Sequence, residues 1–279
     1  MGGAERTIPL TYHDFMSAEF RNGSGQRNGE AVAWTDPELT NPHQSAEKAA
    51  KVRGMFGAIA GSYDLNNRVH SLWQDQRWRR AGVRAASVKP GDEVLDVACG
   101  TGDLTQLFAR THAKRVIGLD FTPAMLEVAR EKLPGERAEV ASKVQYMEGD
   151  AMALPFDNAT FDVVSIGFGI RNVSEPPKAI AEFARVLRPG GRLVILEFAQ
   201  PRNPLMRWFN GLYCARIMPR TATVISGDKT GAYKYLPASV GTFWTPRQMQ
   251  EALEHAGFRD VTARPMTMGI CVCYRALRP

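Results

Sequence analysis

The chain has 279 residues, 44% of them hydrophobic, with 35 basic and 29 acidic side chains that give a formal net charge of +6. This length is ample for one α/β domain with a full core. The sequence contains no run of eighteen apolar residues, so we predict no membrane-spanning helix. The charge suits an anionic membrane surface or an anionic substrate. No long basic run or recognised binding module accompanies it, so we expect no nucleic-acid partner.

The first 45 residues differ in composition from the rest, being polar and rich in Gly, Asn and Ser without sustained hydrophobic periodicity. They contain no apolar segment of the kind found in a secretory signal, and we predict a mostly disordered extension over 1–45. Folding is expected to begin at residue 46, with Ser45 as the N-cap of a helix that includes Lys48 to Phe56.

The segment EVLDVACGTGDLTQLFA, from Glu93 to Ala109, predicts a buried strand, a glycine turn and an amphipathic helix in succession. Gly100 and Gly102 let the backbone turn sharply and approach a ligand closely. Asp96 lies inside the strand, where a plain core would contain Val or Leu. Its carboxylate is suited to accept hydrogen bonds from a cationic ligand above the turn. The segment therefore predicts a nucleotide-type cofactor site.

A dinucleotide-binding turn is the main alternative, and its spacing does not match. That fingerprint requires a third glycine three residues after the second, where this chain has Thr105. Asp120, at the end of the second strand, suits the ribose hydroxyls in either fold and does not discriminate. Asp150 ends a third strand, where a carboxylate can accept a hydrogen bond from an adenine amino group.

The remaining elements continue the alternation of strands and helices. FDVVSIGFGIRNV predicts a fourth strand and LRPGGRLVILEF a turn and a fifth strand, followed by a long insertion over 200–242. A helix is expected over Thr245 to His255, with Pro246 just inside its start and Gly257 at its end. Two strands, at about 260–266 and 270–276, are expected to form a terminal hairpin.

This ordered set resembles the S-adenosylmethionine-dependent class I methyltransferases over roughly residues 50–279. The segments FGAIAGSYDLNN, DVACGTGDLT, GDAMALPF, FGIRNV and LEFAQP more closely resemble the ubiquinone/menaquinone biosynthesis C-methyltransferase family. The resemblance implies an α/β fold with a seven-stranded, mostly parallel sheet, an antiparallel last strand and helices on both faces. It also implies S-adenosylmethionine as the cofactor, a helical lid over 46–88, and a methyltransferase domain whose insertion lies on the substrate side.

The resemblance also implies a set of binding residues. The residues expected to bind the cofactor are Asp96, Gly100, Thr101, Gly102, Asp120, Asp150, Ala151 and Gly167. Thr101 either contacts the carboxylate of the methionine moiety or only completes the turn, and Gly167 is expected to make a backbone contact at most.

Three residues are expected to be catalytic. Arg171 is expected to stabilise a substrate phenolate or to act through a bound water, and Asn172 is expected to fix the ring hydroxyls. Alternatively, Arg171 caps a helix or pairs with Glu175. Tyr63 closes over the methionine end or hydrogen-bonds the substrate, unless it is a half-buried tyrosine whose hydroxyl meets water. Glu197, at the end of the fifth strand, either faces the acceptor pocket or caps the following loop.

The insertion carries an apolar helical stripe flanked by arginines. A stripe of this kind is more often core, but tryptophan and tyrosine beside arginines also suit an interfacial helix on anionic lipid. Its members are Leu205, Trp208, Phe209, Leu212 and Tyr213. The four cysteines lack metal-binding spacing and indicate reduced core thiols in a cytosolic protein, and no metal site is expected.

The function implied is transfer of a methyl group from S-adenosylmethionine to a ring carbon of a polyprenylated quinol in respiratory quinone synthesis. The alternatives are methylation of another small phenolic or lipid acceptor, and cofactor binding without turnover. The expected location is cytoplasmic, with peripheral contact at the inner membrane surface. The oligomeric state, a homodimer included, is left open.

Overall fold

The computed structural model describes residues 33–227 and 230–279. We number the α-helices and strands in chain order, leaving unlabelled the short 3₁₀ turns and one π-helical segment, Tyr213–Ile217. The helices are α1 (Asp36–Thr40), α2 (Lys48–Ser71), α3 (Gln74–Ala86), α4 (Asp103–Ala109), α5 (Pro123–Lys132), α6 (Ala138–Ala141), α7 (Pro176–Val186), α8 (Pro204–Leu212), α9 (Met218–Ser226), α10 (Ala232–Thr242) and α11 (Pro246–His255). The strands are β1 (Glu93–Val97), β2 (Arg115–Asp120), β3 (Val144–Glu148), β4 (Phe161–Gly167), β5 (Leu187–Phe198), β6 (Arg259–Met266) and β7 (Cys271–Leu277).

The strands form one seven-stranded sheet in the order β3-β2-β1-β4-β5-β7-β6. Strands β1 to β5 pair in parallel, whereas β7 is antiparallel to both of its neighbours, β5 and β6. The predicted mostly parallel sheet with an antiparallel last strand is confirmed. The chain order reverses between β1 and β4, and sheets of this kind bind ligands at the carboxyl ends of the strands beside such a reversal.

Helices cover both faces of the sheet, as predicted. One core cluster packs Phe183 of α7 and Leu253 of α11 against the strands, and a second packs Trp78 of α3 and Phe108 of α4 against the other face. The central strands are buried on both faces, which explains why their sequences are continuous apolar runs. This rigid sheet supports the loops at its carboxyl edge.

The beginning of the domain differs from the prediction. Ser45 is not a helix N-cap, because its hydroxyl donates to Glu38 and its extended backbone ends the preceding 3₁₀ turn. Helix α2 begins at Lys48 after Glu47. Within the predicted extension, the described residues 33–45 include α1 and a buried Trp34. The rest of that extension lies outside the described residues.

The end of the domain agrees with the prediction. Helix α11 begins after Thr245, whose hydroxyl accepts a hydrogen bond from the Gln248 amide in a capping box. Strands β6 and β7 form the expected hairpin, joined by a turn over Thr267–Gly269. Cys271 and Cys273 are both free and buried on β7. Across the described ranges, no helix is both long and apolar enough to cross a membrane.

Helix α8, in the insertion, presents most of its side chains to the surface. None of its residues is buried, and the exposed fractions are 65% for Leu205, 60% for Trp208, 52% for Phe209 and 36% for Leu212. The core interpretation of this stripe is therefore wrong. Tyr213, just after the helix, differs from the other members because its hydroxyl is hydrogen-bonded to His70.

Candidate active site

The turn after β1 and the turn after β2 are joined by one carboxylate. Asp120 accepts a hydrogen bond from the Gly100 amide at 2.8 Å and, through its other oxygen, one from the Thr122 amide at 2.9 Å. Asp120 is buried and lines a pocket. Burial raises the pKa of Asp120, while the backbone amides oppose that rise. Each carboxylate oxygen still has a lone pair for a ligand hydroxyl.

The two glycines of the turn are required for different reasons. Gly100 has a φ of +56°, and a Cβ placed on it would meet no atom within 4 Å, so it leaves open space beside the pocket. Gly102 has a φ of +82°, and a Cβ there would lie 2.2 Å from the hydroxyl oxygen of Tyr146. Only Gly100 therefore fits the predicted close approach of a ligand, since Gly102 is enforced by packing against Tyr146.

The pocket lies at the carboxyl edge of the sheet and contains about 770 Å³ of empty space, part of it open to solvent. Its walls come from α2, from the ends of β2 and β4, from the loops after β1, β2, β3 and β4, and from the start of α5. The structure brings together seven of the residues predicted from sequence, namely Tyr63, Gly100, Asp120, Asp150, Ala151, Gly167 and Asn172. Four others, Asp96, Thr101, Gly102 and Arg171, lie behind this wall.

Asp96 lies beneath the glycine turn and is completely buried. Its two carboxylate oxygens accept hydrogen bonds from Thr105 at 2.7 Å and Ser165 at 2.6 Å. Burial raises the pKa of Asp96 to about 6, with the two hydroxyls opposing the rise. The sequence predicted direct contact with a cationic ligand, whereas in the structure the carboxylate is bonded to protein hydroxyls.

Thr101 connects the turn to helix α2. Its hydroxyl donates to Asp64 at 2.5 Å, and the other oxygen of Asp64 accepts from Lys132 at 2.6 Å. Lys132 also donates to Asp103 at 2.5 Å. Of the two interpretations of Thr101, the structure favours the one in which it completes and anchors the turn. This network joins α2 to the helices that follow β1 and β2.

Arg171 is buried and forms an ion pair that the sequence did not indicate. Its Nη1 donates to Glu197 at 2.7 Å and to the Phe168 carbonyl at 2.6 Å, and its guanidinium lies 5.4 Å from the ring centre of Phe198. The predicted alternative partner, Glu175, is not the one used. Glu197 therefore neither faces an acceptor nor merely caps a loop, because it neutralises Arg171.

Asn172 and Tyr63 both reach the pocket wall. The Asn172 side-chain oxygen accepts a hydrogen bond from the Tyr235 hydroxyl at 2.9 Å. Tyr63 packs edge-on against Phe56, with ring centres 5.9 Å apart. Burial raises the pKa of Tyr63, and the charge of Arg79 opposes that rise. At neutral pH Tyr63 is thus a hydrogen-bond donor, not a base.

Several pocket residues were not predicted. Phe121 and Thr122 directly follow Asp120, so their position after a parallel strand was a usable signal. Phe168 has a left-handed φ of +61°, which the sequence does not predict for a phenylalanine. Lys48 donates to the carbonyl of pocket residue Val173 at 2.6 Å, and burial lowers the pKa of Lys48 to about 8. No motif pointed to that lysine.

The residues present fit a nucleoside cofactor. The Asp120 carboxylate suits ribose hydroxyls, the space beside Gly100 admits a ligand, and Asp150 lies exposed at the end of β3. The sheet order, the single antiparallel strand and this pocket define a class I methyltransferase.

Two solved structures share the fold. One is a SAM-dependent methyltransferase from Aquifex aeolicus, 18% identical with a TM-score of 0.51 over 72% of this chain and 89% of that chain.

The other is phosphoethanolamine N-methyltransferase 2 from Haemonchus contortus in complex with S-adenosyl-L-methionine, 18% identical with a TM-score of 0.51 over 70% of this chain and 50% of that chain. The sequence identifies the family more closely. The chain belongs to the ubiE/COQ5 methyltransferase family, whose model matches residues 44–278. It is thus an S-adenosylmethionine-dependent methyltransferase.

Two relatives illustrate the match. A demethylmenaquinone methyltransferase from Thermus thermophilus is 42% identical over 226 residues, which are 81% of this chain and 100% of the relative. A ubiquinone/menaquinone biosynthesis C-methyltransferase from Geobacter sulfurreducens is 40% identical over 236 residues, covering 83% of this chain and 90% of the relative.

Proposed function

We propose that this chain transfers the methyl group of S-adenosylmethionine to a ring carbon of a polyprenylated quinol. The quinol is demethylmenaquinol, 2-methoxy-6-polyprenyl-benzoquinol, or both. The observation that carries the proposal is the family match over 44–278, together with relatives about 40% identical that are named for menaquinone or ubiquinone synthesis. The apolar character of much of the pocket wall supports an aromatic acceptor.

The chemistry sets clear requirements for the protein. When bound, S-adenosylmethionine supplies an electrophilic methyl group, so the protein need only hold the donor, align the acceptor carbon and exclude water. Three aromatic side chains, Phe56 of α2, Phe121 after β2 and Phe168 after β4, line the pocket. A quinol ring carbon becomes a good nucleophile once the neighbouring hydroxyl loses its proton.

Asn172 and Tyr63 are the pocket residues suited to hold the quinol hydroxyls. The side-chain oxygen of Asn172 is occupied by Tyr235, which fixes the amide so that its NH₂ group is the part left for a ligand oxygen. That NH₂ group makes only a long contact, 3.4 Å, to the Phe168 carbonyl. Tyr63, with its raised pKa, contributes a second donor. Two donors stabilise a developing phenolate oxygen.

Arg171 acts through its neighbours in this proposal. It lies behind the pocket wall and donates to the Phe168 carbonyl, which holds a residue of left-handed backbone in place. Since Phe168 lines the pocket and Asn172 follows Arg171 directly, Arg171 is a positioning residue. This replaces the direct phenolate contact expected from the sequence.

A direct assay tests the proposed substrate. Purified protein with S-adenosylmethionine should methylate demethylmenaquinol or the benzoquinol, and mass spectrometry should show one added methyl on the ring. Simple phenols and unrelated lipids serve as competing acceptors. Methylation of those acceptors alone would support the alternative acceptor class, and cofactor binding with no methylation of any acceptor would support a non-catalytic binder.

We also propose that α8 contacts the anionic inner membrane surface from the cytoplasmic side. Its exposed apolar face, formed by Leu205, Trp208, Phe209 and Leu212, lies in a segment, 199–227, that contains arginines and no acidic residue. Apolar side chains that include tryptophan, flanked by arginines, are typical of a helix lying in the lipid interface. A polyprenyl quinol is nearly insoluble in water and must be collected from the bilayer.

Vesicle flotation tests the membrane contact. The protein should float with anionic vesicles and much less with neutral ones, and Trp208→Asp should reduce binding. Arg216→Glu with Arg220→Glu should weaken binding to anionic vesicles, whereas Arg247→Glu with Arg259→Glu, a matched charge change outside the insertion, should have a smaller effect. Equal losses from both pairs would indicate non-specific charge attraction and contradict a specific role for this helix.

A further inference from the structure

Arg79, on α3, is a buried cation without a hydrogen-bond partner among the described residues. Its exposed fraction is 6%, and its Nε is fully enclosed and unpaired. The nearest carboxylate oxygens, on Asp75 and Asp103, are each 3.9 Å from Nε, beyond hydrogen-bond distance. An incompletely paired buried charge is costly, so a ligand that completes its hydrogen bonds would be held strongly.

Both neighbouring carboxylates are engaged elsewhere. Asp75 accepts hydrogen bonds from Ser71 and Gln76 at 3.0 Å each. Asp103 accepts from Lys132 at 2.5 Å and also from Arg68. Their negative charges lower the cost of burying the Arg79 guanidinium, but neither carboxylate accepts a hydrogen bond from its N–H groups.

The guanidinium of Arg79 lies beside the pocket. Its central carbon is 5.4 Å from the ring centre of Phe168, and its Nη1 is 3.8 Å from the position that a Cβ on Gly167 would occupy. Phe168 and Gly167 both line the pocket, at the end of β4. Asp120 and Asp150, suited to ribose and adenine, lie at the ends of β2 and β3.

This placement defines which part of the cofactor is near Arg79. The strand order is β3-β2-β1-β4, so a ligand with its base at β3 and its sugar at β2 extends across β1 towards β4. The group at that far end of S-adenosylmethionine is the methionine moiety, whose carboxylate is its one anionic group. A planar guanidinium matches a carboxylate in geometry and charge.

We propose that Arg79 binds the carboxylate of the methionine moiety, a role that the sequence had considered for Thr101. The inference rests on S-adenosylmethionine as the cofactor. It also explains why an arginine is buried here with free donors, whereas Arg80, the next residue on α3, is exposed.

Calorimetric titration with two ligands tests this proposal. S-Adenosylhomocysteine carries the carboxylate, whereas 5′-methylthioadenosine contains the same nucleoside without the amino-acid part. Arg79→Met should weaken S-adenosylhomocysteine binding by about tenfold to a hundredfold and leave 5′-methylthioadenosine binding nearly unchanged. Arg79→Lys should give an intermediate loss, because it keeps the charge but not the fork. Arg80→Met is the matched control and should bind both ligands as the wild type does.

The two ligands separate the outcomes. Equal losses for both, or no loss for either, would overturn the role of Arg79. Wild-type protein that binds neither ligand would overturn the cofactor assignment itself. If Arg79→Met does not fold, Arg79→Lys is compared with the wild type using decarboxylated S-adenosylhomocysteine. The lysine variant should then lose affinity for the carboxylate form alone, and the same loss for both forms would contradict the proposal.

Discussion

Arg171 and Glu197 form a buried ion pair that connects the 3₁₀ turn after β4 to the end of β5, with 2.7 Å between Nη1 and Oε1. Glu197 also accepts hydrogen bonds from the backbone amides of Arg171 and Phe198. One side chain thus neutralises the guanidinium and fixes the backbone both at the end of β5 and in the turn after β4.

Removing one partner of this pair should destabilise the fold. Arg171→Met leaves Glu197 as an uncompensated buried charge and should lower the free energy of unfolding by about 3–5 kcal/mol. Combining it with Glu197→Gln should cost less than the two single changes added together, as urea denaturation can measure. If the urea midpoint of Arg171→Met equals that of the wild type while turnover falls, the direct catalytic role predicted from the sequence would be correct instead.

Asp120 should contribute directly to cofactor affinity. Asp120→Asn removes the charge and keeps an acceptor for only one of the Gly100 and Thr122 amides, so its folding is checked by urea denaturation before binding is measured. Affinity for S-adenosylmethionine should fall by about 1.5–3 kcal/mol for a lost charged hydrogen bond, measured by calorimetry. Glu148→Gln, at the neighbouring strand end in an exposed pair with Arg53, is the control. Unchanged affinity in Asp120→Asn would contradict the ribose assignment.

The two turn glycines should respond differently to alanine. Gly102→Ala combines a left-handed backbone with a clash against Tyr146 and should lower the free energy of unfolding by about 2–4 kcal/mol. Gly100→Ala meets no neighbour, so its cost should be limited to about 1–2 kcal/mol of backbone strain, accompanied by weaker cofactor binding. Urea denaturation and calorimetry separate the two effects. Equal stability losses would mean that the Tyr146 side chain moves away from the new methyl group at little energetic cost.

Asp96 should make stability depend on pH. Because its pKa is about 6 in the folded protein against 3.8 normally, the folded state binds the proton more tightly than the unfolded chain. Its contribution to stability is therefore full well below pH 3.8 and is lost as the pH rises from there through about 6. Asp96→Asn lacks this titration, so its stability relative to the wild type should improve by about 2.5 kcal/mol between pH 4 and pH 7.5.

Denaturant titrations at several pH values check this expectation. Asp157→Asn, on the exposed loop after β3, controls for the loss of any carboxylate. A stability difference between Asp96→Asn and the wild type that stays constant with pH would show that burial does not raise the pKa of Asp96.

The sequence predicted the sheet, the glycine turn, the position of Asp120 at the end of β2 and the terminal hairpin, because each depends on local pattern or on known strand order. It did not predict long-range partners. Arg171 pairs with Glu197, and Gly102 packs against Tyr146, both far away in the chain. Periodicity identified the stripe on α8 but not what faces it, because helical spacing looks the same whether the stripe meets protein, lipid or solvent.

The stacking of Trp34 on Tyr235 has a practical consequence for shortening the protein. Trp34 lies before residue 44, where the family match begins, yet its ring centre is 4.6 Å from that of Tyr235, which holds Asn172 at the pocket. Trimming the chain to the boundary shared with its relatives would remove this ring and leave Tyr235 without its aromatic support. A version meant to preserve the pocket should therefore begin upstream of Trp34.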